Sequence, residues 1–423
     1  MRAATANAVK IAFLLGEFPS LSETFILDQI TALIDRGHSV SIFAERPSRD
    51  VTMHPAVVQY DLLTRTRYEH LPASVWRRVI GLPPVWRWSR PMWRSLNVLQ
   101  YGWHAASLRL AWAVQMIDQC TEFDIIQCHF GALGLKAVLL RGTGAISGTV
   151  VTAFHGEDIT NYPQNFADGH YAPLFAHGEL FQPVSARWNG ALEALGCPMH
   201  RVRVHRMGVD LSGFSMRDAP VTQADPIRIL AVSRLVEKKG LRDAVCAVAQ
   251  LQLPCEFVIV GDGPLRTSLQ ALVDRLGVDG SIRLAGALPR HEIAALLQKT
   301  DIFLAPSVTA PNGDIEGIPV AIMEAMASGI PVVSTRHSGI PELVQDNVSG
   351  FLLEEGDVAG LTCRLSRLAY DAPLRRRMGA AGRRIVAAEF DVRTLTDQLL
   401  ASYVELLATS GTTTKGQHQQ RQY

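Results

Sequence analysis

Two glutamates eight residues apart, Glu316 and Glu324, bracket the segment Gly317-Ile318-Pro319-Val320-Ala321-Ile322-Met323. A glycine loop with proline near the first helical position predicts a helix start. Such a terminus offers free backbone N–H groups and a positive dipole end, which suit a pyrophosphate. Were all eight steps helical, the two carboxylates would lie about 12 Å apart along the axis. That span fits two hydroxyl-rich ends of one ligand joined by a diphosphate, since a carboxylate accepts paired hydrogen bonds from neighbouring hydroxyls. Taken alone, Glu316 reads equally well as an acid favoured by the helix dipole, and Glu324 as part of a solvated face. Glu324, however, sits among Ile322, Met323, Ala325 and Met326, poor surroundings for a carboxylate without a ligand.

Arg234 and Lys239, in Ser233-Arg234-Leu235-Val236-Glu237-Lys238-Lys239-Gly240, are the matching cations. A guanidinium and an ammonium would neutralise charge growing on a departing diphosphate, the task a metal performs elsewhere. No Asp-x-Asp motif is present to hold a divalent ion, so neither a metal nor another cofactor is expected. Lys238 reads as surface charge. Gly261-Asp262-Gly263-Pro264 is a second glycine turn, but Pro264 and Arg266 break the dinucleotide fingerprint. His155-Gly156-Glu157-Asp158 places a histidine at a strand end; it is either a satisfied structural residue or a functional one, and Gly156 favours function. Glu157 and Asp158 are the carboxylates that a covalent double displacement would use. On the other half of the chain, Ser20, Ser22, Glu23 and Thr24 open an amphipathic stretch and are candidates for binding an acceptor. Ser22 is also placed to cap a helix, and capping alone could explain the hydroxyls. His129, after another strand, is a further acceptor-side candidate.

These residues need elements to hold them. Short apolar runs alternate with helical patterns almost throughout, which predicts βαβ units and parallel sheets. Strands are expected at Lys10–Leu15, Ser39–Ala44, Asp124–Cys128, Val150–Phe154 and Leu180–Pro183, then at Ile227–Val232, Glu256–Val260, Ser281–Ala285, Ile302–Ala305 and Pro331–Ser334. The polar and glycine residues above fall just after these strands, where ligands bind in open parallel sheets. The polar, proline-containing stretch Asp218–Pro226 is the expected linker. The reading is therefore two doubly wound α/β domains facing a central cleft, over 1–218 and 219–392. Residues 393–408 form a terminal helix, and 409–423 a frayed tail.

The 423 residues suit two such domains, and 48% hydrophobic content with a net charge of +1 argues against broad nucleic-acid binding. No apolar run reaches the roughly 18 to 20 residues of a spanning helix, and the six cysteines show no ligand or disulfide spacing. Cytoplasmic placement is expected.

Taken in order, Arg234…Lys239-Gly240, Gly261-Asp262-Gly263-Pro264, Gly286, Pro306-Ser307, Glu316-x7-Glu324, Ala325 to Val333, Gly339-Ile340-Pro341-Glu342 and Gly350 resemble retaining, GT-B-fold glycosyltransferases of family 4. Phe154-His155-Gly156 and Gly208-Val209-Asp210 extend the likeness into the first half. Pro19-Ser20-Leu21-Ser22-Glu23-Thr24-Phe25-Ile26 resembles a branch that builds exopolysaccharide and colanic-acid-type repeat units. The resemblance implies a nucleotide-sugar donor, with UDP- and GDP-sugars both open, and a glycan or polyprenyl-linked acceptor. It implies that Arg234 and Lys239 grip the diphosphate, Glu316 holds donor-sugar hydroxyls, and Glu324 holds the ribose. Backbone amides from Gly317 through Ile318, Pro319 and Val320 to Ala321 would line the phosphates. His155 would sit over the donor sugar, Gly16 would let the first loop approach it, and the base would stack near Leu284–Ala287 and Gly263. The helix at about Leu395–Leu407 would cross back to the first domain. In place of the family's paired glycines the first loop reads Gly16-Glu17-Phe18-Pro19. Both front-face attack and a covalent double displacement retain configuration; the resemblance favours front-face attack, in which the departing phosphate oxygen takes the acceptor's proton. A non-hydrolysing nucleotide-sugar 2-epimerase or a degenerate sugar-nucleotide-binding subunit are the alternatives, and a dehydrogenase is weaker for want of GxGxxG.

The segment 65–118, an expected insertion, mixes Trp76, Trp86, Trp88, Trp93, Trp103 and Trp112 with eight arginines, and Glu69 alone opposes them up to Trp112. Such mixing suits either an interfacial helix on an anionic membrane, by which the protein would sit at the inner face of the cytoplasmic membrane, or a helical pair packed into the domain.

Overall fold

The computed structural model describes residues 8–20, 23–48, 54–117, 122–216 and 226–419. Ser22 and nearly all of the expected linker therefore lie outside the described residues. Six parallel strands make the first sheet: β1 Lys10–Phe18, β2 Ser39–Pro47, β3 Thr66–Tyr68, β4 Glu122–His129, β5 Ser147–Phe154 and β6 Leu180–Pro183. Their order is β3-β2-β1-β4-β5-β6. The second sheet holds β7 Ile227–Val232, β8 Cys255–Val260, β9 Ile282–Gly286, β10 Ile302–Ala305, β11 Val332–Thr335 and β12 Gly350–Leu353, in the order β12-β11-β10-β7-β8-β9. Each sheet carries helices on both faces, so its strands are apolar on both sides; Ile11, Ala12, Phe13, Leu14 and Leu15 are all fully buried. The strand order reverses between β1 and β4 and between β7 and β10. Those two points open the crevices where ligands bind in such sheets.

Three expectations shift. β1 does not stop at Leu15, because its pairing with β2 continues to Phe18 opposite Pro47, so Gly16 and Glu17 are strand and not loop. β3 and β12 were not foreseen; three residues paired with Ile42–Ala44, and four paired with Val332–Thr335, are too few to show a period. The last helix, Val392–Gln419, runs into the segment where a frayed tail is expected, since a helix anchored by buried residues propagates at little cost. That anchor lies in the first domain. Leu399 and Tyr403 sit in its core beside Ile30 and Leu33, and the Tyr403 hydroxyl donates to Gln127 Oε1 at 2.7 Å. Much of the tryptophan-rich insertion is core as well, with Met92, Tyr101, Leu110 and Val114 packed beneath the sheet.

Candidate active site

Arg234 follows β7 directly and is exposed. The glycine turn after β8 sets its backbone. Gly261, at φ +136°, lies so close to Ser233 that a Cβ would stand 1.8 Å from its carbonyl oxygen, and the Leu235 N–H donates to Asp262 O at 2.9 Å. Gly263 is held the same way against Leu235, so it positions Arg234's loop. Lys239 ends the short turn Glu237–Lys239 and ion-pairs with Glu316. Burial pushes the Glu316 carboxyl up, but Lys239, Lys238 and Arg234 more than reverse this and hold it at about 2. Lys238 is not surface charge; it is buried, with Nζ 3.1 Å from Asp314 Oδ1.

The loop carrying Glu316 is pinned by a relay that sequence reading missed. The Glu316 N–H donates to His337 Nε2 at 3.0 Å, and His337 Nδ1 lies 2.6 Å from Glu355 Oε1. Because Nε2 accepts, Nδ1 carries the hydrogen and donates it to the carboxylate. The helix after this loop begins at Val320, with Pro319 at its N-cap. Glu316 and Glu324 are thus not on one helix, because Pro319 sits at the cap with non-helical backbone. Among the described residues no backbone carbonyl receives the N–H of Val320 or Ala321. Ile318 is buried behind this terminus. Leu284, in β9, is half-buried against the second domain's core.

Glu324 pairs with a cation of its own domain, and that cation also reaches across the cleft. Arg290 grips Asp28 of the first domain through both terminal nitrogens, at 2.9 and 3.2 Å, while its Nε lies 3.5 Å from Glu324 Oε1. Burial raises the Glu324 carboxyl to about 7, with Arg290 opposing. Nothing in a motif marks Asp28 or Arg290; the signal available was the apolar setting of Glu324, which demanded a cation. A second tie between the domains runs from Ser185 Oγ to Glu342 Oε1 at 2.5 Å. A third is steric, since a Cβ on Gly317 would lie 2.7 Å from the carbonyl oxygen of His155.

His155 therefore meets the loop of Glu316 and Gly317 from the first domain. Its Nε2 is 3.0 Å from His129 Nδ1, and His129 Nε2 is 2.9 Å from Gln29 Oε1. The Gln29 oxygen can only accept, so His129 donates from Nε2 and accepts at Nδ1; His155 donates from Nε2 and keeps Nδ1 as a bare acceptor. Burial lowers both rings, His155 to about 3, so both are neutral at pH 7. His129, a candidate for the acceptor, is fully buried and touches His155 instead; β4 and β5 pair side by side, which stacks the two strand-end histidines. Asp158 accepts the N–H groups of Gly131, His155 and Gly156, each at 2.9 Å. Its oxygens are occupied and Glu157 is exposed, so neither is placed as a nucleophile. Asp158→Ala would strand three buried N–H groups and is expected to cost about 3 kcal/mol, read as a lower urea midpoint. An unchanged midpoint would mean that the loop stands without it.

Beside β1 a cavity of ≈ 280 Å³ is lined by Ser20, Glu23, His54 and Tyr68 among others. Burial, with Glu17 adding, raises Glu23 to about 7, while Arg234 and Arg46 oppose it; Arg234's pull reaches from the other domain. Glu23 holds the N-cap position of the helix Thr24–Asp35 without a side-chain cap bond. Gly16 leaves open space, since a Cβ there would meet nothing within 4 Å.

Comparison with known proteins agrees with this geometry. Residues 215–385 match the family described as glycosyl transferases group 1. The chain is 38% identical over 405 residues to the putative colanic acid biosynthesis glycosyltransferase WcaL of Salmonella typhimurium, covering 92% of this chain and 98% of the relative. It is 39% identical over 415 residues to the amylovoran biosynthesis glycosyltransferase AmsK of Erwinia amylovora, covering 95% and 100%. The Anabaena protein HepE, solved with UDP and glucose, shares the fold at a TM-score of 0.71 with 19% identity, over 94% of this chain and all of that one. Sucrose-phosphate synthase of Thermosynechococcus elongatus does so at 0.71 with 17% identity, over 95% and 100%. The two sheets and their shared cleft are the GT-B fold, and the chain belongs to the glycosyl transferases group 1 family as a glycosyltransferase.

Proposed function

We propose that the chain transfers a hexose, with retention and without a metal, from a UDP- or GDP-sugar to a glycan or polyprenyl-linked acceptor in exopolysaccharide biosynthesis, as a family 4 enzyme. The observation that carries this is the Lys239–Glu316 pair, set beside Arg234 at the β7–β10 crevice and faced by His155. Three cations gather where a diphosphate would leave, and the free N–H groups of Val320 and Ala321 add to them. Glu316, held ionised, accepts hydroxyls of the transferred sugar, and the bare Nδ1 of His155 accepts another. Front-face attack needs no protein base, because the leaving phosphate oxygen takes the acceptor's proton. The occupied oxygens of Asp158 favour this route over a covalent one. The acceptor enters by the cavity that Ser20 and Glu23 line, with Thr24 at the helix start beside it. The names of the relatives, colanic acid and amylovoran biosynthesis, support the exopolysaccharide setting.

A thermal-shift series with UDP- and GDP-sugars in EDTA tests the donor site. One nucleotide class is expected to raise Tm, by about 2.7 kcal/mol of stabilisation at a hundredfold excess over Kd. The shift should grow as pH rises through about 7, where Glu324 ionises to hold the ribose, and it should vanish in Glu324→Ala. A shift that requires Mg2+, or none with any nucleotide, would overturn the reading.

A further inference from the structure

The chain leaves the first sheet at Tyr68, which lines the β1 cavity, and returns at Glu122. Four short helices fill the interval: Val75–Gly81, Arg90–Ser95, Val98–Ala106 and Arg109–Met116. Several of their inward side chains are paired. Trp88 and Trp112 donate their ring N–H groups to the carbonyls of Pro83 and Arg78, at 2.7 and 3.3 Å. Buried Arg78 donates to the carbonyls of Pro72 and Ser107, both at 2.8 Å.

The outward side is not. Trp76, Ile80, Trp86, Leu99 and Trp103 are each 73% to 101% exposed. Isolated exposed apolar residues are ordinary, but five large ones within a single insertion mark a contact surface. Trp76 and Ile80 are four apart on one helix and so form a stripe. Arg77, Arg87 and Arg90 stand exposed among them. From residue 62 to residue 117 the sequence contains one acid, Glu69, and that is buried against Lys136. A face that is both tryptophan-rich and purely cationic fits the headgroup region of an anionic bilayer. There indole rings settle at the interface and guanidinium groups meet phosphate. Among the described residues no helix is long and apolar enough to cross a membrane, so contact at the surface is what the helices can make.

We propose that this face docks the protein on an anionic phospholipid surface. The inference stands apart from the transfer reading, because none of these exposed residues lines the β1 cavity or belongs to the donor-side set around Arg234, Lys239 and Glu316.

Flotation of the full chain with phosphatidylglycerol–phosphatidylcholine vesicles, against phosphatidylcholine alone, is the test. The wild type should float with the anionic vesicles and be released by high salt. Each arginine reversed should weaken partitioning by about fivefold or more, so Arg77→Glu, Arg87→Glu and Arg90→Glu together by on the order of 10²-fold. Trp76→Ser with Trp86→Ser and Trp103→Ser should also lose binding, and both variants should keep the wild-type urea midpoint because the side chains are exposed. Absence of flotation by the wild type at low salt would overturn the proposal, whatever the variants do. So would flotation unchanged by the charge reversals, or a lipid-free dimer that the tryptophan variant abolishes, which would assign the face to a second copy of the chain.

Discussion

Lys239→Ala is expected to lower the transfer rate by about 10²–10³-fold, the loss seen when one fixed charge or donor is taken from a developing anion. The same change leaves Glu316 buried without its nearest cation. Breaking a buried pair from one side is costly, and here about 3 kcal/mol of stability should go as well. Rate and stability separate in the double variant. Lys239→Ala with Glu316→Gln removes the stranded charge at constant volume, so the urea midpoint should recover while the rate should not. The pH dependence has a definite sign. In the wild type the Glu316 carboxyl is depressed from its usual 4.5 to about 2, so its contribution is present above 4.5 and is lost as pH falls towards 2. In Lys239→Ala, burial acts with less opposition, and the deficit against wild type should be largest at neutral pH and shrink in acid. A variant within about threefold of wild-type activity would remove Lys239 from the site.

Why Lys239 was legible and Arg290 was not is a matter of distance along the chain. Apolar runs gave the strands, and the odd polar and glycine residues fell at strand ends, so Arg234, Lys239 and Glu316 could be gathered from local pattern alone. Arg290 and Asp28 meet across 262 residues and two domains, with no turn or motif at either position to announce them. Lys238 and Lys239 look alike in sequence. A tight turn points them to different partners, Asp314 and Glu316, and only the folded backbone shows that both are internal. His129 and His155 pose the same problem, because each closes a neighbouring parallel strand. Register stacks them, and depth decides that His155 meets the cleft and His129 stands behind it. The eight-residue spacing of the two glutamates misled for a simpler reason. Pro319 sits at the N-cap, so the residues before it belong to a loop, and that loop takes its shape from His337 and Glu355. In the insertion, tryptophans at similar spacing face opposite ways, since partner carbonyls reach Trp88 and Trp112 while Trp76 and Trp86 stand in the open.

The placement of Gly317 against His155 leads to an effect of similar size to that at Lys239. Gly317→Ala adds one methyl group 2.7 Å from the His155 carbonyl oxygen, a backbone atom with no side-chain freedom to yield. Two responses are open to the chain. The domains can part at this contact, against the Arg290–Asp28 and Ser185–Glu342 ties, or the loop can retreat and carry Glu316 away from Lys239. Either displaces the Glu316 carboxylate, proposed to hold the sugar, relative to His155 by a fraction of an ångström to an ångström, and misplacement on that scale costs about 10²-fold in rate. Nucleotide binding should survive, because Arg234, Lys239 and the Val320 helix terminus all lie in the second domain. The expected result is a thermal shift with nucleotide close to wild type, a nearly unchanged urea midpoint, and a kcat about 10²-fold lower. A kcat within about twofold of wild type would show that turnover does not pass through the closed cleft. Loss of the nucleotide shift would place the damage in the donor site itself and leave the domain contact without the role assigned to it.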